Sequence, residues 1–150
     1  MIIDTRAISE NESLVIEGEI IEDIWQLSEP DILKIAEPLK YKVTASIVAE
    51  NLLVRGDFTA PFISQCSHCL DTFKFSVNLT DHSLLLPIEG NPTIDLTNSI
   101  REDILLALPN FPNCEEGEES NRKCPASGKF NTEDAFGKIE TKESQKTSLK

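Results

Sequence analysis

The sequence predicts an α+β protein: an antiparallel, hairpin-rich β-sheet of roughly four to six strands, one main amphipathic helix, and a flexible C-terminal tail. Three observations predict it. Runs of alternating apolar and polar residues follow one another closely between positions 41 and 79, the mark of half-buried strands. A four-residue apolar repeat fills 96–108, the period of a helix with one buried face. Beyond Asn110 both periodicities stop.

In chain order, SLVIEGEI at 13–20 reads as a first strand, with Gly18 as a bulge or twist point. Over 21–38, Ile21, Ile24, Trp25 and Leu27 fall on one side of a short helical turn, and Pro30 and Pro38 break anything longer. Trp25 reads as a core or edge-of-core residue. In YKVTASIVA, Tyr41, Val43, Ala45 and Ile47 alternate with polar residues; Glu50-Asn51 makes a turn. In LLVRGDFTAPF, Leu52, Val54, Phe58, Ala60 and Phe62 then share a side. The two runs, 41–49 and 52–59, form a hairpin, and Pro61, which cannot donate to a ladder, marks an edge or strand end. Phe73, Phe75, Val77 and Leu79 define a third strand, 73–79. HSLLLPI at 82–88 is a fourth, closed by Pro87 and the loop EGNPT.

The helix is LTNSIREDILLALP, expected over 97–108, with Leu96, Ile100, Ile104 and Leu108 as its stripe and Leu105 and Ala107 widening it. Ser99 and Glu102 are spaced for a capping box, Asp95 or Thr97 for a cap one turn earlier, and Pro109 stops it. The stripe packs on the sheet. The chain divides into an α+β domain at 1–112, a polar cysteine-bearing loop at 113–132, and a tail at 133–150. In that tail Ala135, Phe136 and Ile139 make a short apolar motif that docks back, and TKESQKTSLK is expected to be disordered. No internal repeat is present.

With 39% hydrophobic residues the chain has enough for one core. No window approaches the apolar length of a membrane span. MIIDTRAISENE lacks the pattern of a secretory signal and is too acidic for a transit peptide. A cytoplasmic location follows as the expectation, and with it reduced thiols. The net charge is −12: residues 1–110 hold 18 acids and 7 bases, residues 111–150 hold 8 acids and 7 bases. That distribution disfavours coating nucleic acid, which needs cations on phosphate. It serves solubility, or offers an acidic face to a basic protein partner.

The four cysteines are spaced C-x2-C-x44-C-x9-C. Cys66 and Cys69 make a good zinc half-site, and Cys114 and Cys124, on a flexible loop, can complete a tetrahedron of thiolates. A redox pair of the thioredoxin kind sits at a helix start, whereas a strand follows here. Structural zinc and ordinary reduced thiols both remain open, with His68 or His82 able to replace a thiol. No phosphate loop or nucleophile motif occurs, and neither histidine has a carboxylate at a recognisable spacing. Asp95, Glu102 and Asp103 read as capping and dipole partners.

Two segments, CSHCLDTF at 66–73 and TIDLTNSIREDILLALPNFPNC at 93–114, together with the order of hairpin, CxxC, strand, acidic loop and helix, resemble the YceD family, the large ribosomal RNA subunit accumulation proteins of bacteria and plastids. DAFGKIE resembles the short apolar motif near that family's C-terminus. The family's characteristic positions fall on Cys66, Cys69, Asp95, Leu96, Glu102, Leu106, Ala107, Leu108, Pro109 and Cys114. Many members carry a CxxCG-like pair where this chain has KCPASGKF, with Cys124 alone. The resemblance implies a non-enzymatic factor in large-subunit biogenesis, needed for accumulation of 23S rRNA. Its partner would be a ribosomal protein or an assembly intermediate, with weak binding to naked RNA. Two other readings stand beside it: a metal-stapled interaction module unrelated to ribosomes, and a thiol- or zinc-dependent enzyme acting on RNA.

Overall fold

The computed structural model describes residues 1–28, 32–119 and 121–127. Two antiparallel sheets and one helix account for its regular structure, the α+β arrangement the periodicities predict. The main sheet contains β2 (Ser13–Ile20), β3 (Lys34–Ile35), β4 (Leu39–Val48), β5 (Asn51–Gln65) and β6 (Thr72–Pro87). β5 is its axis: β6 pairs along one side, while β4 and then β3 pair along the other, and β2 lies outside β4. A second sheet pairs β1 (Ile2–Asp4) with β7 (Thr93–Asp95). The helix α1 spans Thr97–Leu106. β1, β3 and β7 are too short to leave a period in the sequence.

The alternation in β4 and β5 translates directly into burial. Val43 and Ala45 meet Leu52, Val54, Phe58, Ala60 and Phe62 on a face with almost no solvent contact. The hairpin turn is Ala49-Glu50, one residue earlier than the expected Glu50-Asn51, because Val48 pairs with Asn51. Both turn residues have positive φ, 47° and 60°, so this two-residue connection is of type I′, whose twist matches the flanking strands. Asn51 instead begins β5, and its Nδ2 donates to Ala49 O at 2.8 Å.

Three further expectations are corrected. Gly18 is not a bulge, since the register runs unbroken through Gly18 and Tyr41; a Cβ at Gly18 would lie 2.8 Å from Tyr41 Oη. Pro61 does not end its strand but sits inside β5, opposite Ser76. Its carbonyl accepts from Ala36 N, and its missing N–H falls on that same side, between the ends of β3 and β4, where no ladder bond is lost. The runs 73–79 and 82–88 are one strand, β6, with an irregularity where Gly56 pairs with His82 but Phe58 pairs with Leu79. Asp81 adopts φ 53° there, its N–H donates to Asp57 Oδ1 at 2.8 Å, and its carboxylate grips Arg55. The extra residue shifts the inward phase from Phe73, Phe75, Val77 and Leu79 to His82, Leu84 and Leu86.

No helical turn forms over 21–28. Asp23 Oδ1 accepts from Trp25 N at 3.1 Å and Gln26 takes φ 51°, which together divert the backbone from a helical path. Ile24 and Trp25 are nevertheless buried, and Trp25 meets Phe62 edge-on at 5.0 Å; Ile21 is exposed. In α1, Leu96, Ile100 and Ile104 are fully buried against the sheet and Leu105 and Leu108 partly so. Ala107 and Leu106 face outward, so Ala107 does not widen the stripe, and the helix stops two residues short of 108. The capping box at Ser99 and Glu102 does not form because the helix starts earlier; Asp95 Oδ1 accepts from Thr97 N at 3.0 Å. This bond, after that to the Thr97 hydroxyl, holds the Asp95 carboxyl below its usual range. The apolar motif at Ala135, Phe136 and Ile139 and the tail lie outside the described residues.

Candidate metal centre

β5 ends at Gln65 and β6 begins at Thr72; the CSHC segment is the tight connection between them, as its strand flanks predict. Cys66 N donates to Asp71 O at 2.8 Å and Leu70 N to Cys66 O at 3.0 Å, with Leu70 at φ 65°. These bonds point both thiols of the pair to one side. Ser67 anchors the second half of the site: its N–H and hydroxyl both donate to Pro112 O, at 2.8 and 3.1 Å. Two residues on, Cys114 opens a 3-10 turn, Cys114–Glu116, capped by Asn113 Oδ1, which accepts from Glu115 N.

The polar loop from Cys114 to Cys124 is drawn onto the sheet by bonds of its own. Glu118 N donates to Lys74 O on β6, Arg122 pairs with Asp71 at 3.3 Å, and Cys124 N donates to Glu115 Oε1 at 2.9 Å. The nine-residue spacing therefore closes like a clasp, and all four predicted ligands come together. Cys66 Sγ lies 3.9 Å from Cys124 Sγ, Cys69 Sγ lies 3.8 Å from Cys114 Sγ, and all four sulfurs fall within 4.8 Å of one another. None is in a disulfide. Cys66, Cys114 and Cys124 are buried and Cys69 is half-buried.

The donor set suits a thiolate-bound metal ion. Four thiolates around zinc at ~2.3 Å in a tetrahedron place neighbouring sulfurs ~3.8 Å apart; the Cys66–Cys124 and Cys69–Cys114 pairs have that spacing, and the whole set lies within 4.8 Å. The thiols also differ in how readily they ionise. Burial pushes Cys66 up, but the amides of Cys69, Cys114 and His68 outweigh it and bring the thiol down to about 6. Burial, then the sulfurs of Cys69, Cys66 and Cys124, push Cys114 up to about 12. Cys69 is raised as well: the amide of Asp71 favours its thiolate, and burial with the Cys66 sulfur overcomes that. One negative sulfur is thus welcome in this pocket and further ones repel, a conflict that a bound dication removes.

Neither histidine belongs to this group. His68 supplies its backbone N–H to Cys66 Sγ at 3.5 Å. His82 lies far along β6, roughly 30 Å of strand from Thr72, and its Nε2 is 2.8 Å from Asp103 Oδ2 on α1. His82 thus has a carboxylate partner 21 positions away, a separation that carries no recognisable spacing in the sequence, and Asp103, read there as a capping and dipole partner, pairs with it. The pair joins helix to sheet beside Phe58. The sequence signal for it was the phase shift across NLTDHSLLL, which turns His82 inward. No helix among the described residues is long and apolar enough to cross a membrane. No family model, curated protein or solved structure matches the chain.

Proposed function

We propose that the chain is a non-enzymatic, cytoplasmic factor in large ribosomal subunit biogenesis, needed for accumulation of 23S rRNA, and that Cys66, Cys69, Cys114 and Cys124 hold a structural zinc ion. The observation that carries this reading is the convergence of the two segments on which the family resemblance rests. CSHCLDTF supplies Cys66 and Cys69, and TIDLTNSIREDILLALPNFPNC supplies Cys114 at the same cluster. The second segment also gives Asp95, whose carboxylate accepts from Thr97 N just before the helix, and the buried Leu96 and Ile104. Segments that resemble the family's thus meet at one place rather than lying scattered over the surface.

A structural role for the metal is supported by its setting. Three of the four sulfurs are buried and four thiolates fill a tetrahedral zinc, leaving no open position for a substrate or water. The His82–Asp103 pair is too far along the sheet to act with it. An acidic surface suits a basic ribosomal protein or an assembly intermediate better than bare rRNA. The test is genetic and biochemical together. Loss of the gene should lower the ratio of large- to small-subunit rRNA, the intact chain should restore it, and tagged protein should co-sediment with large-subunit precursors. A normal rRNA ratio in cells lacking the gene would refute the reading.

A further inference from the structure

Beside the cysteine turn, an open groove of about 720 Å³ runs between the end of β5, the end of α1 and the segment leading into β3. Leu27, Leu33, Phe75, Leu105 and Leu108 form its apolar floor and walls, and Cys66 and Ser67 close one end. Two of its side chains, Ile32 and Leu70, are 63% and 64% exposed. Among the described residues no Asp, Glu, Lys, Arg or His lines it, although the chain as a whole has 27% charged residues. A groove of that kind recognises apolar side chains and cannot select a phosphate, a basic tail or an acidic one by charge.

We propose that this groove is the docking site for residues 134–140 of the same chain, DAFGKIE, with Phe136 and Ile139 as anchors. The reach is sufficient. The last described residue, Ser127, is hydrogen-bonded to Cys124 O, and the Cys124 sulfur is 3.9 Å from that of Cys66 at the groove's end. Seven residues separate Ser127 from Ala135, eight residue steps that can span up to roughly 26–29 Å. The composition matches as well. Beyond Ser127 apolar residues gather only at 135–139, with Asp134 and Glu140 placed to remain in water on either side. A tethered segment meets the groove at an effective concentration of order millimolar, so a few buried side chains hold it where a free peptide of the same sequence would dissociate. Docking would cover the cysteine turn from the side of Leu70. The inference does not depend on the ribosomal reading, because it concerns a contact within the chain.

Hydrogen exchange of the full-length, metal-loaded protein, read by mass spectrometry, tests it. Backbone amides within 134–140 should exchange about tenfold or more slowly than in a synthetic peptide of that sequence. Phe136→Asp with Ile139→Asp should return them to the peptide's rate. So should Ile32→Glu on the groove side, at a position exposed enough to leave the fold intact. Exchange at the peptide's rate in the unaltered chain would overturn the proposal, as would protection that survives Ile32→Glu. Protection that grows with protein concentration would also overturn it, since a second copy would then supply the segment.

Discussion

Cys66 and Cys124 lie 58 positions apart, and their sulfurs are 3.9 Å apart. An apolar pair at that separation would be held by burial; this one is held by four amides and one carboxylate that shape two turns. About one zinc per chain is expected from elemental analysis of untagged protein. Cys66→Ser and Cys124→Ser should each reduce that to near zero and lower stability by roughly 3 kcal/mol or more, to a similar extent, because either change dismantles the same clasp. Full zinc retention in Cys66→Ser would show that the thiolates are not the ligands. That the four cysteines can meet at one place was legible from the C-x2-C pair ahead of a strand and the loop that follows the helix, with ordinary reduced thiols left open beside a metal. The bonds that close the C-x9-C half were not, since Asn113, Glu115 and Arg122 look like any loop polars until Asp71 and Lys74 are placed beside them. Gly56 offers a second test at this scale. A Cβ there would sit 2.2 Å from Lys42 O and 2.6 Å from Val43 Cα, both backbone. Gly56→Ala should cost about 2–3 kcal/mol by forcing β4 and β5 apart, measurable as a lower denaturant midpoint. An unchanged midpoint would mean the strands can separate freely at this pair.

At the scale of elements, the hairpin of β4 and β5 was visible from its period, but its turn was misplaced by one residue. Turn chemistry was the cause: type I′ turns favour Asn-Gly, and here Ala49 and Glu50 hold the positive φ without either. Each of them bears a left-handed strain of about 1–2 kcal/mol. Ala49→Asn combined with Glu50→Gly should therefore stabilise the protein by about 1–2 kcal/mol, seen as a higher melting temperature; a drop would argue against this turn. β6 was read as two strands because Asp81 inserts one residue and inverts the phase, and a phase change resembles a gap to any rule based on strict alternation. The helix stripe was read correctly at its centre, where packing decides, and less well at its C-terminal end, where Leu106 and Ala107 turn to solvent. Ile104 is wholly buried, so Ile104→Asp should destabilise by ~3–5 kcal/mol through an unpaired buried charge. A melting temperature that does not move would place this stripe on the surface.

For the whole molecule, the governing quantity is charge and how it is arranged. The chain carries −12 overall, and the cations of its described part are largely engaged with its own acids. Arg6 pairs with Asp4, Lys42 with Glu17, Arg55 with Asp81, Lys74 with Glu37 and Glu118, and Arg122 with Asp71 and Glu119. Exposed pairs of this type add little to stability, but they matter for binding. A phosphate must displace a carboxylate from each of these paired cations before it can take its place, and it approaches against a negative field to do so. Counterion release, the main source of non-specific affinity for nucleic acid, is accordingly small here. The isolated protein should bind bare rRNA at or beyond the weak end, ~10⁻⁴ M, of ordinary non-specific binding at physiological salt, with a shallow dependence of affinity on salt. Fluorescence titrations of naked 23S rRNA fragments at several salt concentrations give both numbers. A tight complex whose affinity falls steeply with salt would mean that these ion pairs open in favour of phosphate, and the partner would then be RNA rather than a basic protein on the assembling subunit.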